Sequence, residues 1–78
     1  MPLINFKVLK GTPSDEKKSE MIERVSKTVS EIEASPHAKD NLLAYTWCII
    51  EEVPFEHWGM GGNAVSPEIL AAVLEGKA

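Results

Sequence analysis

The chain has 78 residues, of which 44% are hydrophobic and 26% are charged, and its formal net charge is −4. These values predict one small globular domain over residues 1–78 and exclude a disordered chain. The acidic balance argues against nucleic-acid binding, and no apolar run is long enough for a membrane span or a signal peptide, so a cytoplasmic location is expected.

The first predicted element is a β-strand over residues 3–9. Its apolar residues Ile4, Phe6 and Val8 alternate with polar ones, and this period of two indicates one buried and one polar side.

A helix is predicted next. It starts at Thr12 or Ser14, either of which is a suitable N-cap, and ends near Glu33. Pro13 suits the first helical turn, and acidic residues follow it. The apolar stripe expected to face the sheet consists of Met21, Ile22, Val25, Val29 and Ile32. The opposite side is expected to be solvated and to carry two ion pairs, Glu20 with Arg24 and Glu23 with Lys27.

Residues 34–41 are expected to form a loop and residues 42–50 a second strand, after which Glu51 and Glu52 leave the sheet. Both alternating faces of residues 42–50 are apolar, which is typical of a strand buried on both sides. Strand, helix and strand predict an α+β fold built on a β-α-β unit with parallel strands. One helix covers one face of a two-stranded sheet, so a second copy of the chain is expected to cover the other face.

The remaining segment is rich in glycine and then helical. Residues 57–65 predict a short hairpin or an arm, and they lack the spacing of a phosphate-binding loop. A short extra helix is predicted from Pro67 to about Leu74, with Ser66 as its N-cap and Gly76 just past its end.

Few residues suggest conventional catalysis. Cys48 lies in an apolar strand, where a thiol is usually inert, and His37 and His57 lie in loops. One cysteine and two histidines provide neither a disulfide nor a metal framework, so no metal and no cofactor are predicted.

Pro2 is the unusual residue, because it directly precedes the first strand. Removal of Met1 leaves a secondary amine at the terminus. A free α-amino group has a pKa of about 7.7–8.0, and apolar surroundings or a nearby cation lower it. Such a nitrogen at the mouth of a pocket is a candidate general base near neutral pH.

Three pieces of the sequence, in this order and spacing, resemble the 4-oxalocrotonate tautomerase family. They are Met1-Pro2 before an alternating strand, Gly11-Thr12-Pro13-Ser14-Asp15-Glu16-Lys17-Lys18 at the helix start, and His57-Trp58-Gly59-Met60-Gly61-Gly62. The resemblance covers about residues 2–65, and residues 66–78 are a helical extension beyond the family's short form.

The resemblance implies the β-α-β tautomerase fold, assembled as a homohexamer or a comparable ring, with a trimer or dimer as the alternatives. It also implies proton transfer on a 2-keto or enol acid with Pro2 as the base. Trp58 takes the place of the aromatic residue that walls the pocket, and Leu9 takes the position whose backbone contributes to the substrate site.

The sequence departs from the family at two positions that bind dicarboxylate substrates through arginine. Thr12 and Trp47 stand there instead. Arginine grips a carboxylate with a fixed fork, so its loss predicts a monocarboxylate substrate. Lys10 or Lys39 is a candidate for a single positive charge, and Trp47 with Trp58 suggests a more apolar ligand.

Three interpretations remain open at this point. The chain is a proline-dependent tautomerase acting on a small keto or enol monocarboxylic acid, one subunit of a hetero-oligomer whose partner supplies the arginines, or a non-catalytic oligomeric binding protein of the same fold.

Overall fold

A computed structural model describes residues 1–77. Its elements in chain order are β1 (Leu3–Leu9), α1 (Asp15–Ala34), α2 (Asp40–Leu43), β2 (Trp47–Val53), β3 (Gly59–Met60), β4 (Asn63–Ala64) and α3 (Pro67–Leu74), with a single 3-10 turn at Phe55–His57. Strands β1 and β2 pair in parallel, and β3 and β4 form a small antiparallel hairpin. The predicted α+β architecture with a β-α-β unit, a hairpin in the glycine-rich segment and a short last helix is confirmed.

The structure decides between the two possible caps of α1. The Ser14 side chain accepts a hydrogen bond from the Lys17 backbone N–H at 3.2 Å, so Ser14 is the N-cap. Thr12 instead donates its hydroxyl to the Leu9 carbonyl at 2.7 Å and closes the turn after β1. Gly11 in this turn has a φ of 80°, a conformation that glycine adopts without strain.

The predicted strand over residues 42–50 was wrong in its first half, and the predicted loop over residues 34–41 was wrong in its last two residues, where α2 begins. Leu42 and Leu43 belong to α2, and β2 begins only at Trp47. A short apolar run fits a helix or a strand equally well by periodicity, and here backbone bonds to the Lys39 carbonyl select the helical turn.

Glu51 and Glu52 also stay in β2, contrary to the prediction that they leave the sheet. Each carboxylate has a basic partner. Lys7 pairs with Glu51 across the strands, and Lys18 of α1 pairs with Glu52.

The register of the sheet separates its two faces. Leu3 lies opposite Trp47, and Leu9 lies opposite Val53. The even-numbered residues of β1 are half-buried, whereas Leu3, Asn5 and Lys7 on the other side are exposed. We call this second side the open face of the sheet; it also carries Trp47, Ile49 and Glu51 from β2.

The predicted apolar stripe of α1 was wrong in part. The buried residues of the helix are Ser26, Ser30 and Ala34, which recur every four positions. Ile32 is 73% exposed and Ile22 39% exposed, so neither is a core residue. Side chains this small occupy little space between α1 and its neighbours, so the buried line of the helix carries no strong hydrophobic signal. The two predicted ion pairs on its solvated side are confirmed.

The molecule is elongated, with extents of 45 × 23 × 22 Å. None of the helices within residues 1–77 has the length and apolar character needed to cross a membrane.

Candidate functional site

Pro2 heads β1 and is held by the start of β2. Its carbonyl accepts a hydrogen bond from the backbone N–H of Trp47 at 3.1 Å, and Leu3 pairs with Trp47 in the sheet. Pro2 is half-buried, whereas Met1 is 84% exposed. The ring of Pro2 is therefore fixed at the amino end of the parallel sheet, next to one of the two tryptophans singled out from the sequence.

A hydroxyl network anchors this end of the sheet to α1. Ser30 is fully buried, and its Oγ lies 2.8 Å from Thr46 Oγ1. Thr46 donates its single hydroxyl proton to the Leu42 carbonyl at 3.0 Å, so Ser30 must be the donor in the pair between the two hydroxyls. Thr46 directly precedes the residue that binds the Pro2 carbonyl. The network thus connects α1, α2 and the residue just before β2, and the sequence signals did not point to it.

Large apolar side chains beside Pro2 in the chain, and at or just before its partner Trp47, are exposed. Leu3 is 60% exposed, Tyr45 57% and Trp47 66%. We call these three residues the Pro2-end patch. Contiguous exposed apolar surface of this kind is typical of interaction sites, which makes these residues candidates for one.

The other predicted site residues lie at the opposite end of the sheet. Leu9 is the last residue of β1, and its carbonyl accepts bonds from the backbone and the hydroxyl of Thr12. Its partner in β2, Val53, lines an open hollow of about 310 Å³ together with Lys7, His57, Trp58 and Gly59.

The separation between the two ends follows from the strand length. Leu3 and Leu9 are six residues apart in β1, which is about 20 Å along a strand. One chain therefore brings Pro2 and Trp47 together and, separately, Leu9, Thr12 and Trp58, but it does not join the two groups.

Lys39 lies outside both groups. It is exposed, it directly precedes α2, and it has no ion-pair partner within residues 1–77. Because the Leu42 carbonyl of α2 accepts the Thr46 hydroxyl, α2 belongs to the Pro2 end of the sheet. Lys10, the alternative cation, lies at the other end, where its backbone N–H binds the Val53 carbonyl.

A second polar group, also missed by sequence reasoning, occupies the middle of the open face. Asn5 Nδ2 donates to Glu51 Oε1 at 2.8 Å, and Lys7 Nζ donates to Glu51 Oε2 at 2.9 Å. The bond from Asn5, reinforced by the bond and the positive charge of Lys7, lowers the pKa of Glu51 below its ordinary value. The group follows from the register, in which Lys7 and Glu51 are direct cross-strand partners, and no local sequence pattern reveals that register.

Pro2 does not line any of three open hollows found on residues 1–77. The first, of about 340 Å³, lies on α1 around Met21 and Arg24, and a third lies between Glu33 and Leu42. Within the described part of the chain, no three of His, Cys, Asp and Glu are grouped so that they could hold a metal ion.

Taken together, the parallel β-α-β unit, the proline at its head and the small hairpin define a protein of the tautomerase class. The sequence model of the family described as "Tautomerase enzyme" matches residues 2–67, and the chain belongs to this family. It is also similar to a probable tautomerase of Halalkalibacterium halodurans, with 33% identity over 69 residues that cover 87% of this chain and 100% of the relative. No solved structure matches the chain significantly.

Proposed function

We propose that this chain is a tautomerase in which Pro2 is the general base, after removal of Met1, for keto–enol or double-bond proton transfer on a 2-keto or enol monocarboxylic acid. Membership of the tautomerase family supports isomerase activity. The observation that carries the finer proposal is the position of Pro2, which is held at the head of β1 by the Trp47 amide and next to an apolar patch.

The chemistry needs the nitrogen of Pro2 to be a free amine, because an amide nitrogen is not a base. The exposure of Met1 leaves it accessible for removal. The lone pair of the amine takes the proton of the enol hydroxyl, the O–H electrons form the carbonyl π bond, and the C=C electrons take that proton from the Pro2 ammonium at carbon, which returns the amine to its free form. The proton count is unchanged over one turnover, so no co-reactant is needed.

The substrate class follows from the charges near the site. Arg24 is the only arginine of the chain, and it lies on the exposed side of α1, where it pairs with Glu20 at 2.7 Å. It does not serve as a carboxylate clamp beside Pro2. Lys39 is the cation we assign to a single substrate carboxylate, and Trp47 is the surface for an apolar substituent.

The proposed site requires more than one copy of the chain. Trp58 and Leu9 lie about 20 Å along the sheet from Pro2 in the same chain, a separation set by the length of β1. A homohexamer, or a trimer or dimer, would supply Trp58 and the Leu9 backbone from a neighbouring copy. The exposed apolar residues of the open face support such self-association.

The experiment is an assay of phenylenolpyruvate ketonisation with mature protein and a Pro2→Ala variant, after mass analysis of the amino terminus. We expect the rate with Pro2→Ala to fall at least a hundredfold, which is the typical contribution of a general base. Pro13→Ala is the matched control, because Pro13 lies before α1 in the turn region at the opposite end of β1. Equal rates for Pro2→Ala and native protein would end the proposal.

The absence of both arginines favours one alternative enough to test it. In a hetero-oligomer, a partner chain would supply the arginines and the activity would extend to dicarboxylates. A protein that is inactive alone, purifies from its own cell with a second tautomerase chain and becomes active with it would establish that alternative. Ligand binding without turnover in either state would establish a binding protein instead.

A further inference from the structure

Helix α3 is defined by its own sequence rather than by packing. At its start, the Ser66 side chain accepts a hydrogen bond from the Ile69 backbone N–H at 3.2 Å. At its end, the Gly76 N–H binds the Val73 carbonyl and the Lys77 N–H binds the Ala72 carbonyl, which is the Schellman arrangement. Both ends are therefore capped locally.

The surface of α3 is nevertheless apolar and lacks a partner within the chain. Glu68 is its only charged residue, while Ile69 is 39% exposed, Val73 52% and Leu74 76%. The helix makes no substantial contact with any other helix or strand of residues 1–77. A helix of eight residues is marginal in water by itself, and one that is apolar on all sides is normally buried.

The exposed area of the chain is larger than that of a compact monomer of the same mass. The chain exposes 5859 Å². A compact monomer of this size exposes about 4,700 Å², so the excess is about 1,200 Å². A standard interface removes about 800 Å² from each partner, and the excess is thus sufficient for a stable dimer.

Within residues 1–77, the Pro2-end patch and α3 connect to different ends of the sheet. The Pro2-end patch lies at the amino end of the parallel strands. The chain leaves the sheet at the other end, after Val53, and enters α3 from Val65, whose N–H binds the Trp58 carbonyl. When two copies pair with their sheets in opposite directions, the end from which one chain runs on to α3 lies beside the Pro2 end of the other, and the pair is two-fold symmetric.

We propose that α3 of one copy packs on the Pro2-end patch of a second copy, so that two copies exchange their last helices. Neither the exposed face formed by Ile69, Val73 and Leu74 nor the patch itself carries a charged side chain, so the contact is apolar on both sides. Resting on the proposed function, the same contact shields the Pro2 nitrogen from water and makes the helix of the neighbour a wall of the substrate pocket.

The test is site-specific cross-linking in a Cys48→Ser background, which removes the one native thiol. Leu3→Cys and Val73→Cys are placed in the same chain and treated with a short bifunctional thiol reagent. We expect a covalent dimer on a denaturing gel. The matched control carries Lys27→Cys with Val73→Cys and keeps Leu3. Lys27 lies on the solvated side of α1, so we expect no more than background dimer.

Three outcomes would overturn the proposal. A cross-linked monomer would mean that α3 folds back on its own chain, absence of any cross-link would mean that the surfaces do not meet, and equal dimer in the control would mean random collision. Because cross-linking does not depend on turnover, the two proposals can fail separately. A dimer that forms while Pro2→Ala keeps the native rate contradicts only the proposed function. An inactive Pro2→Ala protein without the dimer contradicts only this proposal.

A second variant measures the strength of the contact. Leu74→Glu places a charge on a side chain that is exposed in the single chain, so the protomer keeps its fold. In sedimentation experiments, we expect the dissociation constant of the Leu74→Glu dimer to be at least tenfold higher than that of native protein. The control, Glu68→Gln, should leave the dissociation constant unchanged. Identical dissociation of Leu74→Glu and native protein would contradict the proposal.

Discussion

Thr46→Val removes one hydroxyl at nearly constant side-chain volume from the network that holds the Pro2 end of the sheet. In the native chain, Ser30 donates to Thr46 Oγ1, and Thr46 donates to the Leu42 carbonyl. The valine variant therefore leaves the Ser30 hydroxyl, which is fully buried, without its acceptor.

The size of the effect follows from that buried donor. An unsatisfied buried polar group costs about 1–3 kcal/mol, so we expect Thr46→Val to lower the free energy of unfolding by about 2 kcal/mol. Ser30→Ala leaves Thr46 with its bond to Leu42 and should cost about 1 kcal/mol. The double variant has no orphaned hydroxyl at Ser30, so its cost should be smaller than the sum of the two single changes.

The assay is urea or thermal unfolding followed by tryptophan fluorescence, at one protomer concentration for all variants, because association shifts apparent stability. For a domain of this length, about 2 kcal/mol corresponds to a Tm lowered by roughly 8–16 °C. Thr28→Val is the control, since the Thr28 hydroxyl binds the Arg24 carbonyl on the exposed side of α1, and it should change stability by less than about 0.5 kcal/mol. Two results would refute the reasoning. One is a double variant whose loss of unfolding free energy equals the sum of the losses in Ser30→Ala and Thr46→Val. The other is a loss in Thr28→Val as large as that in Thr46→Val.

Two further predictions concern charges and caps. Asn5→Leu should raise the pKa of Glu51 in an NMR titration, because the bond from Asn5 is the largest cause of its lowered pKa, and Lys7→Met should raise it as well. The depressed pKa of Glu51 stabilises the fold above the pKa of the unfolded chain, and this contribution disappears as pH falls through the folded value; an unchanged Glu51 titration in both variants would contradict this. Ser14→Ala should destabilise the protein by about 1 kcal/mol through loss of the cap of α1, whereas Ser19→Ala inside the helix should not, and equal effects in chemical unfolding would argue against the cap.

Several elements were predictable because their signals are local. The alternation in residues 3–9 specifies β1, and Ser66 followed by Pro67 specifies the start of α3. Helix α1 was likewise predicted nearly to its last residue, since acidic first-turn residues and a cap mark its start.

Other features depend on contacts between distant parts of the chain. Leu42 and Leu43 are apolar enough for a strand, and only the bonds around α2 decide for a helical turn. Glu51 lies in β2 opposite Lys7, and its carboxylate binds Asn5 and Lys7, which are more than forty positions earlier in the chain. The buried side of α1, formed by Ser26, Ser30 and Ala34, was missed because small side chains carry no strong hydrophobic signal.

The candidate site was predictable residue by residue but not as an arrangement. Pro2 and Trp47 were both singled out from the sequence, and their proximity follows from a register that no local pattern reveals. Trp58 was assigned to the same pocket, yet one chain places it at the other end of the sheet. The resemblance identifies which residues to examine, whereas the length of β1 is the reason why the proposed site takes Pro2 and Trp58 from different copies.

The most direct measurement is a titration of the Pro2 nitrogen by ¹⁵N NMR in mature, selectively labelled protein, compared with the pH dependence of kcat/KM. The account predicts a free secondary amine whose pKa lies below the value of about 7.7–8.0 for an ordinary α-amino group and coincides with the pKa at which kcat/KM rises on the acidic side of the pH profile, where the base loses its proton. A Pro2 nitrogen still acylated by Met1 in protein from its own cell, or one that titrates without any relation to the rate, would contradict it.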